Sequence, residues 1–86
     1  MEPHKVIKYP LSTEKSIRLM ESENKLIFVV DMNSDKKDIK DAVEKLFKAK
    51  VEKVNVLVSS GGQKRAYVKF ADESPAIDVA TQLGLM

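Results

Sequence analysis

The apolar positions along the chain mark out its elements. Val6, Ile7 and Tyr9 form a short run closed by Pro10, which fits a brief edge strand because proline cannot donate to a ladder. From Thr13 to about Glu23 the spacing predicts a helix with Ile17 and Met20 facing inward. Ser12 or Thr13 would cap it, and Glu14 would complement the positive end of its dipole. KLIFVVDM, Lys25 to Met32, is the clearest strand. Phe28 and Val30 fall on one face and Ile27 and Val29 on the other, which predicts burial on both sides. Asn33 and Ser34 end it.

The segment DKKDIKDAVEKLFKA places Ile39, Ala42, Val43, Leu46 and Phe47 on one continuous helical stripe. Ser34 or Asp35 would cap this helix, Lys45 and Lys48 suit its negative end, and Lys37, Lys40, Asp41, Glu44 and Lys48 occupy the opposite face. VEKVNVLVSS then reads as a strand with Val54, Val56 and Val58 on one face and Asn55, Leu57 and Ser59 on the other. Gly61-Gly62 supplies the positive φ values of a tight turn, and QKRAYVKFA returns with Ala66, Val68 and Phe70 opposite Arg65, Tyr67 and Lys69. Ser74 as cap with Pro75 in the first helical position opens a last helix through Ile77, Ala80 and Leu83 to Gly84. The order β-α-β-α-β-β-α predicts an α+β fold, a mostly antiparallel sheet with helices packed on it. Residues 1–86 are read as a single domain without repeat, linker or low-complexity tract.

Composition narrows the class. A chain of 86 residues buries only about 60–65% of its unfolded surface, so the core is small. Cysteine is absent, which removes disulfides, thiolate metal sites and cysteine nucleophiles. No apolar run approaches the roughly 18 residues of a membrane span, and the N-terminus carries no signal-peptide pattern. The expectation is a soluble cytoplasmic protein without membrane insertion.

The net charge of +2 hides an uneven distribution. Residues 1–35 hold five Lys/Arg against six Asp/Glu, residues 36–69 ten against four, and residues 70–86 none against three. The net charges of the three segments are therefore −1, +6 and −3. A positive centre flanked by acidic ends points to a basic surface facing a polyanion, against the plainer reading of lysines kept for solubility.

Catalytic chemistry is thin. His4 is the only histidine and has no evident partner. Asp35, Asp38 and Asp41 recur every third residue, a spacing that drifts around a helix among lysines, and they read as ordinary surface charge. SSGGQKR has glycines that would let backbone amides approach a phosphate, yet it lacks the P-loop pattern and lies between two strands. The expectation is no enzyme, no cofactor, no metal and no small-molecule substrate. The hairpin is more informative. Arg65 and Lys69 flank Tyr67 on one strand face with Lys64 at the turn, a set able to hold phosphates while the ring stacks on a sugar or base. Lys36, Lys37 and Lys40 begin the central helix, where cations oppose the dipole at about 0.3–1 kcal/mol each unless an anion is near.

The ordered set Pro10…Thr13-Glu14-Lys15, Asp38-Ile39-Lys40…Ala42-Val43-Glu44…Leu46-Phe47, Val51…Val54-Asn55 and Lys64…Ala66-Tyr67-Val68 resembles the large-subunit ribosomal protein twenty-three family. The resemblance covers nearly the whole chain, and the compact length is similar to the archaeal type. It implies a nonenzymatic constituent of the large subunit, bound to its rRNA beside the exit of the nascent-chain tunnel and to neighbouring ribosomal proteins. It also implies that Asn55 joins Lys36, Lys37, Lys40, Lys64, Arg65, Tyr67 and Lys69 toward rRNA. Thr13, Glu14 and Lys15 then resemble the family's docking corner for nascent-chain factors, with signal recognition particle the expected partner. Some members carry a long loop between the last two strands that enters the tunnel; only about Ser60 to Gln63 are available here, so that role is not carried over. The alternatives are an α+β module that binds another protein without RNA, and a small hydrolase of phosphate esters or acyl phosphates.

Overall fold

The computed structural model describes residues 3–59 and 61–83, with side chains from residue 5 onward. A single helical turn, α1 (Pro3–Val6), precedes β1 (Ile7–Pro10), α2 (Glu14–Glu23), β2 (Lys25–Val30), α3 (Lys36–Phe47), β3 (Val51–Val58), β4 (Lys64–Phe70) and α4 (Ala76–Gln82). Apart from α1, the order is the β-α-β-α-β-β-α read from the sequence. The strands form one sheet in the order β1-β2-β4-β3, and every pairing is antiparallel. β1 is an edge strand, and β2 lies in the middle with Leu26 to Val30 buried throughout.

The main core cluster lies on one face of the sheet, while Ile27 and Val29 of the other face are buried as well, each 3% exposed. Leu26, Phe28 and Val30 of β2, Ala66, Val68 and Phe70 of β4 and Val51 and Val54 of β3 pack with Val6, Ile39, Ala42, Val43, Val79 and Ala80 from the helices. Phe47 of α3 stacks on Phe28 with ring centroids 5.8 Å apart. A register shift between Val51 and Lys53 marks a bulge, which is why Val51 and Val54, three positions apart, both face inward. In the hairpin turn only Gly62, at φ +77°, takes the left-handed backbone among the described residues, not both glycines.

Two helices are rotated from the expected stripes. Ile17 is 44% exposed, while Ser16 and Met20 are buried. Thr13 caps α2, and Ser16 returns the bond: Thr13 Oγ1 accepts from Ser16 N at 3.2 Å, and Thr13 N donates to Ser16 Oγ at 2.8 Å. This capping box turns Ser16 and, one turn later, Met20 inward, leaving Ile17 outward by about 100°. In α4 the buried positions are Ala76, Val79 and Ala80, and Ile77 is 46% exposed. Pro75 is the N-cap and not the first helical residue. Ser74 Oγ accepts from Lys50 N at 2.9 Å instead of capping α4. The cap comes from a distant residue, Asn24, whose Oδ1 accepts from Ala76 N at 2.6 Å. Asn24 Nδ2 also donates to the carbonyls of Phe70 and Ala71, at 3.0 and 3.2 Å. Its own backbone, φ 57°, ends α2 in the left-handed conformation that asparagine tolerates. One side chain thus joins the end of α2, the end of β4 and the start of α4. The expected helix end at Gly84 lies outside the described residues.

Candidate nucleic-acid interface

Side chains alternate across a sheet, and directly opposed residues share a face. The register therefore composes the face opposite the core row by row. Lys25 pairs with Lys69, and Lys69 with Lys53, so three lysines line up across β2, β4 and β3. The next row is Ile27, Tyr67 and Asn55, and the third is Tyr9, Val29, Arg65 and Leu57.

The lysine row is an electrostatic conflict. Neighbouring strands lie about 4.8 Å apart, and like charges directly opposite one another destabilise a sheet. Carboxylates answer it in part: Glu23 approaches Lys25 Nζ at 3.4 Å and Glu52 approaches the central Lys69 Nζ at 4.0 Å. Lys53 makes no ion pair among the described residues and is exposed.

The rows beyond it are better tied. Gln63 Nε2 donates to the Tyr9 hydroxyl at 2.9 Å, and Gln63 Oε1 accepts from Arg65 Nε at 3.0 Å. This chain spans β1 to β4 beside Val29, which is 3% exposed. It fixes Arg65 through Nε alone among the described contacts. α2 runs beside β2, with Met20 in the core cluster and Lys15 Nζ 5.9 Å from the centre of the Tyr67 ring. The ring is half-buried under a cation, and Asn55 beside it is exposed.

The structure divides the residues singled out in the sequence. Asn55, Arg65, Tyr67 and Lys69 come together on this face. Lys36, Lys37 and Lys40 stand exposed on the first turns of α3, which packs on the core face. Their local field is moderated by Asp35 and Asp38, which cap each other's amides at 2.8 and 3.3 Å. Lys64 shares the core face of β4 with Ala66 and Val68, and its Nζ donates to the carbonyls of Ser34 and Met32, holding the loop that leads into α3. Glu44, expected among the outward charges of α3, is half-buried and accepts from Val51 N at 3.1 Å. Of the Thr13-Glu14-Lys15 corner, Thr13 is consumed as a cap, Lys15 leans over Tyr67, and Glu14 pairs with Arg18 at 2.8 Å with both side chains largely in solvent.

Sequence reasoning missed Lys25 and Lys53. The alternation Lys25, Ile27, Val29 held the first, but only the pairing of β2 with β4 shows that it meets Lys69. Alternation likewise put Lys53 with Asn55 and Leu57, but only the pairing of β3 with β4 shows that it meets Lys69. Among the described residues no cluster of three or more His, Cys, Asp or Glu could hold a metal, and no helix is long and apolar enough to cross a membrane.

A family model described as ribosomal protein L23 matches residues 5–78, from the end of α1 into α4. That family comprises structural proteins of the large ribosomal subunit and is not a family of enzymes. With the match running through all four strands, the chain belongs to the ribosomal protein L23 family.

Proposed function

We propose that the protein is held on large-subunit rRNA by the face opposite its core, through Lys25, Lys53, Lys69, Arg65, Tyr67 and Asn55. The exposed start of α3, with Lys36, Lys37 and Lys40, supplies a second set of contacts. The observation that carries this reading is the Lys25–Lys69–Lys53 row, a repulsive arrangement that a polyanion converts into an attractive one. Tyr67 offers a ring, and Asn55 beside it a donor and an acceptor, for an unstacked nucleotide. Glu14, exposed at the corner of α2, faces nascent-chain factors such as signal recognition particle at the tunnel exit, with neighbouring ribosomal proteins completing the surroundings. The support is family membership together with an exposed carboxylate away from the lysine row.

The test is the salt dependence of binding to a large-subunit rRNA fragment. Affinity should fall steeply between low and high salt, and Lys→Ala or Arg→Ala changes at Lys36, Lys40 or Arg65 should each reduce the slope of log K against log salt by about one. Affinity independent of salt refutes the reading. So does copurification with a protein partner and no RNA.

A further inference from the structure

The ends of α2 and α4 enclose a groove that the rRNA reading touches only at its rim, through Lys69. Its volume is about 330 Å³, and Met20, Pro75 and Ile77 give it an apolar floor while Glu21, Glu23 and Asp72 stand around it. Ile17, one helical turn before Glu21, extends the apolar strip along α2. Ile17 and Ile77 are both close to half exposed.

The charge around this strip says what covers it. Glu21 and Asp72 are exposed and make no ion pair among the described residues, and Glu23 has only Lys25. Glu21 and Glu23 lie in the last turn of α2, which holds no basic residue, so their charge adds to the negative end of the helix dipole. Residues 70–86 carry three acids and no Lys or Arg. Lys69, on the rim, is the one cation among the groove's lining residues and already leans toward Glu52. An RNA backbone is repelled here. A cationic protein segment is attracted, and its apolar side chain has a place to go.

We infer that the α2–α4 groove is a docking site for a Lys/Arg-rich segment of a neighbouring protein, seating an apolar side chain against Met20, Pro75 and Ile77 between cations that meet Glu21 and Asp72. The site lies at the opposite end of α2 from the Thr13–Lys15 corner and meets the lysine row only at Lys69.

The absence of cysteine from this chain lets one introduced thiol be labelled alone. The purified Ile77→Cys protein is labelled with a thiol-linked photo-crosslinker, assembled into large subunits and irradiated, and the adduct is identified by mass spectrometry. The expected adduct is a Lys/Arg-rich protein segment. Adding Glu21→Lys and Asp72→Lys should lower its yield about tenfold, the effect of setting like charges face to face, with the amount of this protein in large subunits unchanged. A parallel set with Glu21→Gln and Asp72→Asn, which removes charge without adding any, should give an intermediate yield. Adducts only to rRNA, adducts to a second copy of this chain, no adduct, or a protein adduct indifferent to these charges would each overturn the inference.

Discussion

Replacing Lys69, the centre of the lysine row, by methionine separates the cost of the row from its use. Methionine keeps an unbranched, flexible stem and removes the charge. Lys69 is flanked by Lys25 and Lys53 and has Glu52 at 4.0 Å. At about 5 Å in a water-like dielectric each Lys–Lys pair repels by roughly 0.8 kcal/mol, and physiological salt screens this to a few tenths. An exposed Lys–Glu pair returns about 0.2–1 kcal/mol. These terms nearly cancel, so Lys69→Met should change folding stability by no more than about 0.5 kcal/mol, a Tm shift within about 4 °C. RNA binding behaves differently, because one phosphate contact is lost. The slope of log K against log salt should fall by about 0.7–0.9. Between 50 and 200 mM salt the variant should therefore lose about threefold less affinity than the parent. Filter binding of an rRNA fragment over that range, with thermal melts of both proteins, supplies the two readouts. A melting temperature lowered by more than about 10 °C would mean that Lys69 is a packing element. An unchanged slope would mean that the row does not meet phosphate, and either result refutes the reasoning.

Other expectations are simpler to check. Asn24→Ala removes the cap of α4, leaves two carbonyls without their donor and forces alanine into a left-handed conformation; urea unfolding should register a loss of about 2–4 kcal/mol, and Asn24→Gly, free of the backbone strain, should lose about 1 kcal/mol less. Met20→Ala should cost about 2–3 kcal/mol and Ile17→Ala less than about 0.5 kcal/mol, the reverse of what an inward Ile17 requires. Gly62→Val should destabilise by about 1–2 kcal/mol because of the positive φ, although no side-chain clash awaits it. Glu14→Lys should weaken recruitment of signal recognition particle to assembled ribosomes with rRNA incorporation intact, and equal recruitment would remove the docking role of that residue.

The chain's periodicities carried most of the fold. β2 reads as buried on both sides because five successive residues are apolar, and α3 reads as a helix because its stripe is unbroken. What stayed hidden depends on partners distant in sequence. α4 looks capped by Ser74, yet its cap is Asn24, because the last turn of α2 comes to rest against the start of α4. The rotation of α2 follows from Ser16 accepting Thr13 N, a choice between Ser12 and Thr13 that local spacing leaves open. Arg65, Tyr67 and Lys69 were visible as one face of a hairpin, since alternation within a strand is local. Lys25 and Lys53 join them only through strand order and register. Lys64, read as standing at the turn beside that face, lies on the opposite face of β4 and reaches the loop before α3.

The central claim is that the sheet face opposite the core meets rRNA. Leu57 is exposed on that face beside Arg65 and bears no proposed contact. An iron chelate tethered at Leu57→Cys in large subunits generates hydroxyl radicals at that spot. The account predicts strong local rRNA scission from Leu57 and little from the same chelate at Ile77→Cys. Equal cleavage from the two positions, or none from Leu57, would contradict it.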